Sequence, residues 1–77
     1  MKNTIKYNGK LNAIGSTIKE YRIKNNMTQK DLSEKAQLYG IDLNKNSLQK
    51  IERGDRVIKV YELAFFSVIF NVSADEL

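Results

Sequence analysis

Apolar side chains recur at helical spacing near the start of the chain. Ile14, Ile18 and Tyr21 follow one another at intervals of four and three residues, which places them on one face of a helix. The pattern predicts a first helix over residues 12–25. The preceding residues 1–11 show only a short alternation of polar and apolar side chains, and we expect them to form a basic amino-terminal arm.

A second helix is predicted from two residues that can cap its first turn. Thr28 can accept a hydrogen bond from the helix, and Asp31 three residues later can return one, as in a capping box. Leu32 and Ala36 then share one face and are expected to point into the core. A glycine and an aspartate indicate a loop over residues 38–43.

The third helix is strongly polar. Residues 44–56 read NKNSLQKIERGDR and hold six charged side chains but only two large apolar ones, Leu48 and Ile51. If Asn44 caps this helix, Leu48 and Ile51 share one narrow face that can dock onto the core. The outward face then consists of amides and cations: Lys45, Asn46, Gln49, Lys50 and Arg53.

This outward face suits the edges of DNA base pairs. Asparagine and glutamine can form paired hydrogen bonds with adenine, lysine can donate to guanine, and an arginine beyond the helix end suits a phosphate. A solvated surface also accounts for the same side chains, because lysine is common on surfaces and asparagine and serine favour the first turn of a helix. The residue types alone leave both interpretations open.

The fourth helix, predicted over residues 59–70, is apolar on nearly all sides. One stripe is expected to point into the core: Leu63, Phe66 and Phe70. A second stripe is formed by Tyr61, Phe65, Val68 and Ile69, and Val72 extends it. Asn71 can end the helix in a left-handed conformation, and Ser73 can cap a short final turn.

The second stripe has two alternative partners. A helix that is apolar all round is either buried all round or finds a partner. Two copies of the chain can pair through the stripe as a homodimer, with Tyr61, Phe65, Val68 and Ile69 at the interface. Alternatively, the amino-terminal arm can cover the stripe with Ile5, Tyr7 and Leu11.

Composition excludes most enzyme classes. The 77 residues suffice for one small domain, expected over residues 12–77, but not for a large enclosed active site. The chain has no cysteine and no histidine, so it lacks thiol nucleophiles, imidazole bases and the matching metal ligands. We therefore expect no enzyme activity, no metal and no cofactor. The uncharged runs are shorter than the roughly 20 residues of a membrane span, which predicts a cytoplasmic protein without membrane contact.

Positive charge is concentrated in the first third of the chain. The net charge is +4, but residues 1–30 carry seven Lys or Arg and one Glu, for +6, and the rest carries six against eight, for −2. Such a distribution is typical of a surface that faces a polyanion such as nucleic acid. A membrane-surface helix is a weaker alternative, because the basic residues and the apolar stripe lie on different predicted helices.

Three segments together resemble the lambda-repressor-like helix-turn-helix family of bacterial and phage transcription regulators. They are IGSTIKEYRIKNNMTQKDLSEKA, NSLQKIERGDR and YELAFFSVIFNVSADEL, and the resemblance covers about residues 13–77. Its most specific elements are Thr28-Gln29, Ile51-Glu52-Arg53-Gly54 and the closing VSADEL. The resemblance implies an all-α fold of five helices that binds double-stranded DNA.

The resemblance also implies roles for single residues. Gln29 is expected to bond a phosphate and to brace the third helix, which is the recognition helix of this family. Lys45, Asn46 and Lys50 are expected to reach base edges, and Ser47 and Arg53 to contact the DNA backbone. Gln49 and Arg56 complete the expected DNA-binding set. Arg22 is expected to form a structural ion pair with Glu52 behind the recognition helix.

Two features depart from the family pattern. From Gln29 to Gly54 the chain has 26 positions, whereas the family usually has about 21 because its turn between the two helices is short. The additional residues, about 37–44, either lengthen the second helix or form a looser turn. The second departure is that Phe65 and Val68 stand where the family often has polar or small residues.

These observations predict a sequence-specific DNA-binding regulator of transcription, and the family favours a repressor. The alternative is a protein-interaction module, such as an antitoxin or a regulator that sequesters a partner through the fourth helix. Affinity for duplex DNA that falls steeply with salt would favour the first hypothesis, because phosphate contacts release counterions.

Overall fold

The computed structural model describes residues 12–77, and in this range the chain folds into four α-helices and one 3₁₀ helix. The elements are α1 (Gly15–Lys24), α2 (Gln29–Leu38), α3 (Lys45–Arg53), α4 (Val60–Phe70) and the 3₁₀ helix (Ala74–Glu76). This range contains no strand and no helix long and apolar enough to cross a membrane. The predicted all-α class is confirmed, although the fifth element is a single 3₁₀ turn. The predicted arm lies outside the described residues.

Side-chain caps begin α2 and α3 as predicted. The Asp31 N–H donates to Thr28 Oγ1 at 3.0 Å, and the Thr28 N–H donates to Asp31 Oδ2 at 2.9 Å. Hydrogen bonds to the Asp31 carboxylate from the Thr28 backbone, and next from the Thr28 side chain, hold the pKa of Asp31 below its ordinary value. At α3, the Ser47 N–H donates to Asn44 Oδ1 at 2.8 Å. Gly54 ends α3 in the left-handed region, at φ 80°.

The core lies between the four α-helices. Its buried apolar residues are Ile18, Leu32, Ala36, Leu43, Leu48, Ile51, Phe65, Phe66 and Phe70. The predicted inward residues of α2 and α3 are therefore confirmed. Leu48 and Ile51 are fully buried, so α3 is held to the domain by the narrow apolar face that its sequence indicated.

The inward face of α4 differs from the predicted one. Phe65, predicted for a dimer interface, is only 3% exposed and belongs to the core, whereas Leu63, predicted for the core, is only half-buried. Ile69, also predicted for the interface, packs against the core. Tyr61 and Val68 remain exposed, at 53% and 61%. Because nearly every position of α4 is apolar, its periodicity could not specify which side points inward.

The lengthened turn is a loop rather than an extension of α2. The helix ends at Leu38, and residues 39–44 connect it to α3 with Gly40 in the left-handed region, at φ 73°. The loop contributes to the core, because Leu43 is buried and Ile41 packs against the buried cluster. The additional residues therefore have a packing role.

Asn12 and Gly15 fasten the start of α1 to the end of α3. Asn12 Nδ2 donates to the carbonyl oxygens of Ile51, at 3.0 Å, and Arg56, at 2.9 Å. Asn12 Oδ1 accepts from the N–H groups of Ile14, at 3.1 Å, and Gly15, at 2.7 Å. A Cβ atom at Gly15 would lie 2.1 Å from the Ile51 carbonyl oxygen, so only glycine permits this approach. The contact fixes the orientation of α3 in the domain.

Candidate nucleic-acid interface

The outward face of α3 carries the predicted base-reading residues together. Lys45, Asn46, Lys50 and Arg53 are exposed, and Ser47 and Gln49 are half-buried beside them. These side chains lie opposite Leu48 and Ile51, which anchor the helix in the core. The structure thus presents amide and cationic donors from one rigid element, which is the arrangement that reading of base edges requires.

Glu52 lies behind this face and joins three helices. Arg22 of α1 donates from Nε to Glu52 Oε2 at 2.7 Å and from Nη2 to Oε1 at 3.0 Å. This is the structural ion pair that the resemblance implied. Arg22 also donates from Nη1 to the Met27 carbonyl oxygen at 2.8 Å, which ties the turn between α1 and α2 to the same group. The buried carboxylate is thereby paired as well as hydrogen-bonded.

Gln29 extends the network from the first turn of α2. Its Nε2 donates to Glu52 Oε1 at 3.0 Å, so Gln29 is held against the recognition helix. An amide nitrogen has two hydrogens, and the second can still donate to a ligand. The bracing contact is therefore visible in the structure, and the phosphate contact remains a prediction.

A groove of about 610 Å³ opens between α1, the start of α2 and α3. Cationic side chains line it from all three helices: Lys19, Arg22, Lys30, Lys45 and Arg53. Among the described residues of the lining, Glu52 is the one carboxylate, and its charge is matched by Arg22. The groove is thus positive at the amino-terminal end of α2, where free N–H groups and the helix dipole also favour anions. We define this surface as the cationic groove.

Sequence reasoning did not identify Lys19 and Lys30 as site residues. Both line the cationic groove, on α1 and in the first turn of α2. The available signal was the excess of positive charge in residues 1–30, which indicated a polyanion but not a position. Assignment of single lysines required the three-dimensional packing of α1 against α3.

Arg56 pairs with a buried carboxylate rather than facing outward. It donates from Nη1 and Nη2 to the two Glu62 carboxylate oxygens, each at 2.8 Å, and the Lys59 N–H donates to Glu62 Oε1 at 2.9 Å. Burial raises the pKa of Glu62, but these hydrogen bonds outweigh burial and leave the pKa below its ordinary value. Hydrogen bonding to Glu62 raises the pKa of Arg56 in turn. This pairing gives Arg56 a structural role, and its expected contact with DNA stays a prediction.

Arg53 lies at the end of α3 and keeps an exposed guanidinium. Its Nε is 3.1 Å from Asp55 Oδ2, and both side chains are largely in solvent. An ion pair this exposed contributes little to stability, because water screens both charges.

Comparisons with known proteins agree with this geometry. A family model described as helix-turn-helix matches residues 18–77. The chain is similar to the master regulator for biofilm formation SinR, solved in complex with DNA, with 31% identity over 82% of this chain and 94% of that chain and a TM-score of 0.68. It is also similar to the DNA-binding domain of BldD, with 25% identity over 82% and 84% and a TM-score of 0.67. No curated protein sequence matches the chain significantly.

Proposed function

Because the chain belongs to the lambda-repressor-like helix-turn-helix family, we propose that it binds double-stranded DNA sequence-specifically and regulates transcription in the cytoplasm. The observation that carries this proposal is the outward face of α3, whose amides and cations project from a helix anchored by Leu48 and Ile51. Similarity to SinR, a regulator solved with DNA, supports it. Occupation of promoter DNA would block polymerase, so repression is the proposed direction of regulation.

Two adjoining surfaces of the domain make different kinds of contact with DNA. The cationic groove faces the phosphates, with Gln29 donating its second amide hydrogen and Lys19 and Lys30 supplying charge. The face of α3 enters the major groove and reads base edges through Lys45, Asn46, Gln49 and Lys50. Ser47 and Arg53 contact the backbone on either side of that face. Glu52 holds the two surfaces in a fixed relation, because it bonds both Arg22 and Gln29.

Two copies are needed for a long operator. One recognition helix spans only a few base pairs, so family members commonly use two half-sites. The surface predicted for a homodimer is reduced here to Tyr61 and Val68, since Phe65 is buried and Ile69 packs against the core. We propose that two copies bind neighbouring half-sites on DNA without requiring a dimer formed beforehand through α4.

Salt-dependent binding to duplex DNA tests the proposal. A fluorescent duplex, enriched from a random pool with the full chain, would be titrated by anisotropy from 50 to 200 mM salt. We expect the logarithm of the affinity to fall linearly with the logarithm of salt, by about 0.9 for each phosphate contact. Lys30→Ala should reduce that slope, whereas Lys35→Ala, exposed on α2 outside the cationic groove, should not.

Two outcomes would contradict DNA binding. Failure to enrich any duplex would exclude sequence-specific recognition. Affinity that is weak and insensitive to salt, together with tight salt-insensitive binding of a protein partner, would favour the protein-interaction module instead.

A further inference from the structure

The side chain of Asn12 makes four hydrogen bonds and has no capacity left for another. Its two amide hydrogens are donated to the carbonyl oxygens of Ile51, at 3.0 Å, and Arg56, at 2.9 Å. Its oxygen accepts from the N–H groups of Ile14, at 3.1 Å, and Gly15, at 2.7 Å. An asparagine amide offers two donors and two lone pairs, so Asn12 cannot in addition bond a base or a phosphate. Any part that it takes in DNA binding is therefore indirect.

Asn12 holds the backbone of the recognition helix itself. Ile51 lies in the last turn of α3, directly after Lys50, which is exposed on the outward face. The ion pair of Glu52 with Arg22 reaches the same turn, but it joins two long side chains. The bond from Asn12 to the Ile51 carbonyl oxygen leaves fewer rotatable bonds between the two backbones, so it restrains the position of the last turn more closely.

The reading of bases depends on this position more than the phosphate contacts do. A hydrogen bond to a base edge tolerates a displacement of only about 0.5 Å, because N–H···O distances span roughly 2.7–3.2 Å. The attraction between a lysine and a phosphate is a charge interaction, which weakens gradually with distance. A shift of the last turn of α3 by about 1 Å would therefore break a base contact of Lys50 and leave the phosphate contacts of the cationic groove almost unchanged.

We propose that Asn12 is a positioning residue for base recognition: by holding the Ile51 carbonyl oxygen, it places Lys50 against its base pair without contacting DNA. Lys50 has this part only if α3 reads the major groove, so the inference rests on the proposed function. Gly15 has a complementary part, because its missing Cβ leaves room for the Ile51 carbonyl oxygen beside Asn12. Sequence preference thus depends on a residue that lies outside the DNA-contacting surface.

Affinities for two duplexes test the proposal. The enriched duplex and a duplex of scrambled sequence would be titrated at the same salt with the full chain and with Asn12→Asp, which keeps the acceptor oxygen but removes both donors. Asn25→Asp is a control of equal charge, since Asn25 Nδ2 donates to the Tyr21 carbonyl oxygen of α1, at 2.7 Å, rather than to α3. We expect the ratio of the two affinities to fall about tenfold in Asn12→Asp, which is within the discrimination that one base contact provides, and to keep the parent value in Asn25→Asp.

The identity of the affected base pairs gives a second readout. Selected-site experiments should show that Asn12→Asp loses preference at the base pairs where Lys50→Ala loses it, and keeps preference where Asn46→Ala loses it. A residue that only stabilised the fold would lower the amount of active protein but leave the preferences of the folded fraction unchanged. An unchanged affinity ratio in folded Asn12→Asp would overturn the proposal, as would a loss of preference confined to the base pairs of Asn46.

Residual dipolar couplings of the free protein separate this proposal from the proposed function. The amide couplings of α1 and α3 report the angle between the two helices without DNA. We expect the couplings in the last turn of α3 to change in Asn12→Asp and in the uncharged Asn12→Ala, and to fit the parent orientation in Asn25→Asp. Unchanged couplings, or loss of helix in both Asn12 variants, would overturn the positioning role whether or not the chain binds DNA. Changed couplings in a protein that prefers no duplex would instead refute the proposed function alone.

Discussion

Tyr39 lies edge-on to Phe65, with ring centroids 5.5 Å apart and ring planes at 68°. Tyr39 belongs to the lengthened loop between α2 and α3, and Phe65 is the aromatic residue at a position where the family often has a small or polar one. The two departures from the family pattern therefore meet in space. The longer loop thus supplies an aromatic ring that packs edge-on against the larger side chain on α4.

This contact predicts coupled effects of substitution at the two rings. Phe65→Ala should lower the free energy of unfolding by about 3–5 kcal/mol, because it removes a buried aromatic side chain. Tyr39→Ala should cost less, since Tyr39 is half in solvent, and the double variant should show a coupling of about 0.5–1.5 kcal/mol. Urea unfolding of the four proteins measures these values. Leu38→Ala, a neighbouring exposed residue, should show no coupling to Phe65→Ala.

The burial of Phe65 also predicts the outcome of a charged substitution. Phe65→Glu should unfold the domain, because it places a carboxylate in the core beside Phe66. Circular dichroism would reveal the loss of helix. A folded Phe65→Glu variant that only dissociated from a dimer would mean that the side chain faces outward after all.

Substitution of Gly15 should destabilise the contact between α1 and α3. In Gly15→Ala the added Cβ would lie 2.1 Å from the Ile51 carbonyl oxygen and 3.1 Å from that of Glu52. Both atoms belong to the α3 backbone, so the helices must move apart, and we expect a loss of about 3 kcal/mol. Ser16→Ala, one position along and exposed, should stay within about 0.5 kcal/mol of the parent protein. Equal thermal unfolding of the two variants would refute the close approach.

The lowered pKa of Glu62 predicts that the protein becomes less stable in acid. Its pKa in the folded protein lies below the ordinary 4.5, so the folded state favours the ionised carboxylate. The resulting stabilisation is fully present above the unfolded pKa and disappears as the pH falls through the lower folded pKa. Urea midpoints measured from pH 7 down to pH 3 should therefore fall, and Glu62→Gln should flatten that fall. Glu34→Gln removes an exposed carboxylate on α2 and should leave the fall of the urea midpoint with pH unchanged.

Two kinds of DNA-contact variant should behave differently. Gln29→Ala should weaken binding to all duplexes about equally, by roughly 1 kcal/mol, because a phosphate contact carries no sequence information. Asn46→Ala and Lys50→Ala should instead relax the preference at particular base pairs, by about 1–3 kcal/mol each. Selected-site experiments on all three variants distinguish the roles. If Asn46→Ala and Lys50→Ala kept the base preferences of the parent protein, Asn46 and Lys50 would not be base-reading residues.

Local chemistry made much of the fold predictable. Thr28 with Asp31, and Asn44 with the following turn, have partners three residues away, so their hydrogen bonds are encoded within a few positions. The two faces of α3 were predictable for a related reason. Leu48 and Ile51 are the only large apolar residues in a polar segment, so periodicity left a single choice of inward face.

Features that depend on contacts between distant parts of the chain were not predicted from the sequence. Two apolar stripes of α4 compete for the core, and the residues packed against the helix determine which stripe is buried. Tyr39 of the loop between α2 and α3 is one of these residues, because it packs against Phe65. The pairing of Arg56 with Glu62 was not predicted, because Glu62 lies across a turn and is buried. The close approach at Gly15 joins residues far apart in the chain, so no local pattern could reveal it.

The loop between α2 and α3 also limits how recognition helices can be exchanged. A common way to change DNA specificity is to transplant α3 alone from a relative. Here residues 39–44 carry Leu43 into the core and Tyr39 onto Phe65, so the loop and α4 form one structural unit with the helix they flank. A transplant that also replaced residues 39–44 with the short turn of a relative would leave Phe65 uncovered and a void at Leu43. An exchange that includes the loop must therefore include position 65 as well, whereas specificity alone can be altered by point changes on the outward face.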